Sequence, residues 1–319
     1  MAIVRDPNNI RLGIAGRVAD NDHPYSWSAI LNGYERELMR QWAVPVIGQY
    51  LDAQPTENFG IAGVRMTHIW ADEPEDARRI AAASRIANIV NTPGELIGVV
   101  DAVLIPTDEG AEHVARARDF VEAGLPIFID KPLCDDASDL SVFRAWYEQG
   151  RHIMSSSAMR YATEFVQLRS QIETLGELRL ITMTMAKNWP RYGIHALEGA
   201  YPLLPPGGWI SATNTGRDGA DIVHLRHACG VDVVVAVIED LFGGFAHLNL
   251  YGTRGRAAAQ FGDSFSAFKA QLGAFVQYLR TGERPFPFDE TIELIRLLIA
   301  GDLSKRCGGR TVLLSEIAA

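Results

Sequence analysis

Two short stretches of this chain concentrate side chains able to move protons or hold charge. The first ends in Asp130-Lys131-Pro132, directly after the apolar run 126–129. A lysine at the carboxyl end of a parallel strand points into the cleft where ligands bind. There its ammonium can polarise an oxygen or relay a proton. The second stretch is 187–201, KNWPRYGIHALEGAY, which carries Arg191, His195 and Glu198. Imidazole is the side chain whose ordinary charge change falls near neutral pH. Positions three and four apart on a helix share a face, so a helix here lets Arg191, His195 and Glu198 line one cleft, with Glu198 orienting the imidazole. Each group also has a plain reading: Lys131 as a solvated loop lysine, His195 as a half-buried histidine at a helix start.

A third place is the turn after the first strand, Gly16-Arg17-Val18-Ala19-Asp20-Asn21. In a dinucleotide fold the pyrophosphate sits here, against a GxGxxG loop and the start of a helix. Only the first glycine is present. With Val18 in the second place the backbone cannot approach phosphates by the usual route, which leaves Arg17 or the peptide nitrogens around 23–26 to receive them. At the end of the second strand, Asp72 and Glu73 can accept the ribose hydroxyls of NAD. No basic residue lies nearby in the sequence to meet a 2′-phosphate, so NAD is favoured and NADP not excluded. Both acids read equally well as first-turn helix residues.

The elements that must position these groups follow from hydrophobic period and punctuation. Apolar runs predict strands at 11–15, 64–70, 99–105 and 126–129, with a fifth opening at 152–154. Helical patterns cover 26–39, 74–84, 111–123 and 138–149, and 45–63 reads as an irregular crossover or short helix. This alternation is that of a doubly wound parallel sheet. Beyond residue 159 the rhythm changes. Period-two segments at 177–187, 221–226, 232–239, 245–251, 256–261 and 311–314, with helices at 264–280 and 289–305, predict a mostly antiparallel sheet with helices on one face. The fold class is therefore α/β with a second α+β domain.

The segment 101–133, DAVLIPTDEGAEHVARARDFVEAGLPIFIDKPL, resembles the glucose–fructose oxidoreductase / inositol dehydrogenase / MocA family. That family shows a strand followed by Ala-Thr-Pro, a later His, an Ala-Gly-Lys turn, a strand and Glu-Lys-Pro. The matching positions are Ile105-Pro106-Thr107, His113, Ala123-Gly124-Leu125 and Asp130-Lys131-Pro132. The resemblance implies a Rossmann domain over 1–158 and a substrate-binding and oligomerisation domain over 159–319. It implies cofactor contacts from Gly16, Arg17, Val18, Asp72, Pro106, Thr107, His113 and Asp130, and a place for Lys131 beside nicotinamide and substrate. The family's Asp-x-Gly-x-His-x-x-Asp segment aligns on His195 with Glu198 at the last acid, and Arg191 stands where the family has its catalytic Asp. His195 is then the candidate base for a carbinol proton as hydride leaves for nicotinamide. Arg191 is a clamp for a carboxylate or alkoxide, and Arg160, Tyr161 and Glu198 join it as substrate contacts.

The implied activity is NAD(P)-dependent hydride transfer at a secondary alcohol of a sugar, cyclitol or related polyol. Two other readings remain: NAD-assisted glycoside cleavage without net redox, and a catalytically silent ligand sensor, to which the lost glycines and Arg191 point. In the 319 residues, 47% are apolar and the net charge is −9. With no long basic run, nucleic acid is not the expected partner. No uncharged stretch approaches the ~20 residues of a membrane span. Cys134, Cys229 and Cys307 form no CxxC pair, which suits a reducing, cytoplasmic setting. His224 and His227 project to opposite faces of one strand with no third ligand, so no metal site is expected. A homodimer or homotetramer is.

Overall fold

A computed structural model describes residues 1–241 and 243–318, which form two compact units. The first comprises Met1–Asp130, Ala145–Ser155 and Phe268–Phe286; the second comprises Lys131–Arg144, Ser156–Ala267 and Pro287–Ala319.

The first unit is built on six parallel strands: β1 (Ile10–Ala15), β2 (Val64–Trp70), β3 (Asn88–Ile89), β4 (Ala102–Ile105), β5 (Ile127–Ile129) and β6 (Ile153–Ser155). Their order is β3-β2-β1-β4-β5-β6, so the chain winds outward in both directions from the β1–β4 pair. Ligands in such sheets bind beyond the carboxyl ends of the strands at that reversal. All four residues of β4 and all three of β5 are buried; strands covered on both faces are near-continuous apolar runs for that reason. The connecting helices are α1 (His23–Asn32), α2 (Arg36–Trp42), α3 (Pro45–Asp52), α4 (Pro74–Ala83) and α5 (His113–Glu122); the next helix, α6 (Ala137–Glu148), starts in the second unit and passes into the first at Ala145.

Three expectations change here. The single helix over 26–39 is two, because Gly33 adopts φ +78 and ends α1 before α2 begins. The strand at 99–105 is regular only from Ala102, since the chain is still leaving the tight turn Pro93–Leu96. The two-residue β3 has no counterpart in the hydrophobic pattern, being exposed at both positions.

The second unit carries α7 (Thr163–Arg169), β7 (Leu178–Ala186), α8 (Ile194–Ala200), β8 (Trp209–Asn214), β9 (Ala220–His227), β10 (Asp232–Ile238), β11 (His247–Gly252), β12 (Arg256–Gln260) and β13 (Val312–Leu313). Two long helices complete the chain: α9 (Ser264–Thr281), which runs on into residues of the first unit, and α10 (Phe288–Arg306). The sheet order is β12-β11-β7-β10-β9-β8-β13, and every pair is antiparallel except β7 with β10. Strand β8 and helix α7 were not foreseen: neither short segment shows a clean period. On one face Ile181, Met183, Met185, Val223, Leu225, Val233, Val235 and Val237 are buried, with α10 packed on β8 and α8 on β7. The alternate residues stay partly exposed, the signature of a sheet with one covered face.

Candidate active site

At the carboxyl ends of β1, β2 and β4 the first unit gathers the residues expected to meet a dinucleotide. Gly16 leaves β1 at φ +108, a conformation that side chains rarely adopt. A Cβ there would stand 2.8 Å from Arg116 and 3.2 Å from Thr107. Thr107 is fully buried and is held by His113, whose Nε2 lies 2.9 Å from its carbonyl and 3.0 Å from its hydroxyl. Pro106 is buried beside it, and its carbonyl accepts from Asn21 at 2.9 Å. Asp130, 1% exposed after β5, accepts from the same Asn21 side chain at 3.3 Å and lies 2.5 Å from Nδ1 of His23. The His23 ring stacks on Trp27 with centroids 5.2 Å apart.

Two cofactor expectations need correcting. Arg17 does not offer a guanidinium to phosphates: it donates to Asp22 at 2.9 Å and to Asp76 at 2.8 Å. Nor is the end of β2 without a basic neighbour. Arg116, from α5, pairs with both oxygens of Asp72 at 2.9 and 3.2 Å, and the backbone N–H of Arg17 donates to Asp72 at 3.1 Å. Although burial opposes its charge, Asp72 and Glu112 hold the Arg116 guanidinium above its ordinary pKa. Sequence distance hid this partner, which lies 44 positions from Asp72. Half-buried Val18 occupies the loop between Arg17 and Asn21.

As a test of fit, the Asp72 side chain is 38% exposed and keeps acceptor capacity for ribose hydroxyls. The Gly16 turn and the Pro106-Thr107 wall sit at the reversal point of the sheet. The pyrophosphate position is the poorer match. The N–H of His23 is already accepted by Asn21 Oδ1 at 2.9 Å, and Pro24 has none to give.

The second unit brings the two expected proton-moving residues to one ring that sequence reading had passed over. Lys131 is 3% exposed, and its Nζ lies 5.6 Å from the centre of the Tyr192 ring. The His195 ring centre is 5.3 Å from the same ring. His195 Nδ1 is 2.6 Å from the Ser157 hydroxyl, which in turn accepts from the N–H of Met159 at 3.1 Å. The imidazole is therefore oriented by Ser157, not by Glu198. Lys187 Nζ donates to the Tyr192 hydroxyl at 2.6 Å and stands 4.5 Å from its ring centre. A cue was present: Tyr192 stands beside Arg191, three residues before His195.

Arg191, His195 and Glu198 do not share one helical face. Residues Trp189–Gly193 form one turn of π-helix, and α8 starts only at Ile194. Such turns recur at functional sites. The turn is pinned by Trp189, 1% exposed, which donates to the Leu298 carbonyl at 2.9 Å, and by Asn188 Oδ1, which accepts from the N–H of Arg191 at 3.1 Å. Arg191 is half-buried there.

Arg160 and Glu198, expected at the substrate, are instead committed to the interior at 6% and 2% exposure. Arg160 pairs with Glu198 and with Glu290 at 2.8 Å, and Glu198 also accepts from the N–H of Ser157 at 3.1 Å. Burial works against the Arg160 charge, yet the two carboxylates hold it above its ordinary pKa. A buried pair lacking either partner is costly, so this cluster fixes the Ser157 loop. Tyr161, half-buried beside it, has its phenol pushed up by burial.

Residues 44–155 match the family model GFO_IDH_MocA, described as an oxidoreductase family with an NAD-binding Rossmann fold. An inositol 2-dehydrogenase of Rhodococcus erythropolis is 31% identical over 118 residues, 36% of this chain and 34% of that protein. The chain thus matches only about a third of that curated relative's length. In structure, myo-inositol 2-dehydrogenase from Lactobacillus plantarum is similar at a TM-score of 0.75 and 13% identity, covering 96% of this chain and 99% of that one. Myo-inositol dehydrogenase from Lactobacillus casei, in complex with NAD(H) and myo-inositol, is similar at 0.73 and 15%, covering 96% of each. At these identities the fold is what they share.

Proposed function

We propose, from the match of residues 44–155 to the Gfo/Idh/MocA oxidoreductase family model, that the chain is a member of that family and oxidises or forms a secondary alcohol on a sugar, cyclitol or related polyol. NAD, when bound, supplies the hydride acceptor or donor. Gly16, Asp72, Pro106 and Thr107 are the residues assigned to hold it, with residues 1–158 as the dinucleotide domain and 159–319 as the substrate domain.

The observation that carries the reading is the convergence of Lys131 and His195 on one aromatic ring, each within 6 Å of its centre. Held through Nδ1 by the Ser157 hydroxyl, the His195 imidazole is the group assigned to exchange the carbinol proton. The Lys131 ammonium, nearly excluded from water, stabilises negative charge developing on the same oxygen. Three unpaired thiols suit a cytoplasmic setting.

The test is a panel of sugars, cyclitols and polyols monitored at the absorbance of reduced nicotinamide, with NAD and NADP in parallel. Lys131→Ala and His195→Ala should each lower kcat by about 100-fold or more, with the nucleotide Kd changed far less. Equal, modest losses in both would remove the two residues from the chemistry.

A further inference from the structure

Cys229 is exposed on the turn between β9 and β10. Its sulfur lies 2.9 Å from Nδ1 of His227, the last residue of β9. The imidazole itself is 6% exposed and meets Trp209 edge to face, ring centres 5.0 Å apart. Its other nitrogen, Nε2, lies 2.5 Å from the Gly207 carbonyl. The loop comes this close because residue 208 has no side chain: a Cβ on Gly208 would stand 3.2 Å from Nε2.

These contacts fix which nitrogen carries the hydrogen. A carbonyl only accepts, so Nε2 is the donor to Gly207. The N–H of Cys229 donates to Nδ1 at 3.1 Å, which makes Nδ1 the lone-pair nitrogen of the neutral ring. The thiol that faces this lone pair is then its donor as well. A nucleophile within hydrogen-bond reach of a base, with that base oriented by a third group, is the arrangement that activates a thiol for covalent chemistry. Here it stands on a surface turn. A Cβ at Gly207 or at Gly230 would meet nothing within 4 Å, so the flanking backbone leaves room for a bulky partner at the sulfur.

The other two thiols lack such a base. Cys134 is fully buried. Cys307 is exposed and neighbours Arg310, a guanidinium that takes up no proton and is paired with Glu316 at 2.9 Å.

We propose that Cys229 is a modification site that forms a mixed disulfide with a low-molecular-weight disulfide such as oxidised glutathione. The Cys229 sulfur attacks one sulfur of the disulfide, a new S–S bond forms, and the old one breaks. Its electron pair leaves with the other half as a thiolate, while the Cys229 proton passes to Nδ1 of His227. Cys229 is oxidised and the small disulfide is reduced. No nicotinamide takes part, so the claim is independent of the polyol reading.

The experiment incubates the purified protein with oxidised glutathione and follows each cysteine by peptide mass spectrometry. In the wild type, Cys229 should gain glutathione faster than Cys307 by about tenfold or more, a modest share of the roughly 100-fold that an adjacent base can supply. His227→Phe keeps a ring against Trp209 and removes the base. It should bring the two rates to within about threefold of each other, with the Cys307 rate unchanged as the sign of an intact fold. Equal rates at Cys229 and Cys307 in the wild type, no mixed disulfide at Cys229, or an undiminished Cys229 rate in folded His227→Phe would each overturn the proposal. The wild-type comparison needs no substitution and decides the matter even where the variant fails to fold.

Discussion

Cys134 lies three residues beyond Lys131 and is completely buried, whereas Cys229 and Cys307 are exposed. Burial, and then the charges of Asp139, Asp136 and Asp135, push its thiol well above the ordinary pKa. The thiolate is the reactive form, so at pH 8 Cys134 stays protonated and inert despite its place next to the candidate lysine. Titration of the native protein with a thiol-specific disulfide reagent should release two equivalents quickly and the third only on unfolding. Rapid labelling of Cys134, mapped by mass spectrometry, would contradict this. At this scale residue types were legible but pairings were not. Asp72 and Arg17 announced themselves by position after their strands. Their salt-bridge partners Arg116 and Asp76 stand on α5 and α4, which only the folded sheet brings near. Glu198 read as a cleft acid because nothing local reveals that Arg160, 38 positions earlier, claims it.

Among elements, the π-turn Trp189–Gly193 does the most to place Tyr192. It exists because Trp189 needs room that two glycines leave it. A Cβ on Gly301 of α10 would come within 2.6 Å of the indole, and one on Gly193 within 2.7 Å. A rigid ring in a packed interior cannot yield cheaply. Gly301→Ala should therefore cost about 1–3 kcal/mol of stability and lower kcat beyond what the stability loss explains, since α10 then pushes on the turn that carries Tyr192. Urea unfolding together with kinetics below the transition checks both. Unchanged stability would mean the indole has space elsewhere. The long strands were readable because their alternation is unbroken: β2 is found where its pattern predicts, and β7 within one residue at either end. The turn was not, because KNWPRYGIH has helical spacing and the extra residue of a π-turn follows from the fit of Trp189 against α10.

In the whole molecule, the seven-stranded sheet of the second unit leaves one face half open. Ile210 and Ile222 are 42% and 36% exposed there, and Val234, Ala236 and Ile238 are only partly covered. Ile222 stands opposite Ala236 across the β9–β10 pair, with Val234 two residues before Ala236 on the same side of β10, so Ile222, Ala236 and Val234 adjoin in a short apolar strip. Contiguous exposed apolar surface is unusual in a monomer and marks association. The chain is expected to be a homodimer or homotetramer through this face, on which no helix packs among the described residues. Ile222→Asp combined with Val234→Asp places two carboxylates in the strip without touching the buried side of the sheet. Light scattering behind size exclusion at micromolar concentration should then give the monomer mass, with the fold kept by circular dichroism and the wild type remaining an oligomer. A wild-type protein that is already monomeric, or a double variant that stays assembled, would show that the open face serves another purpose.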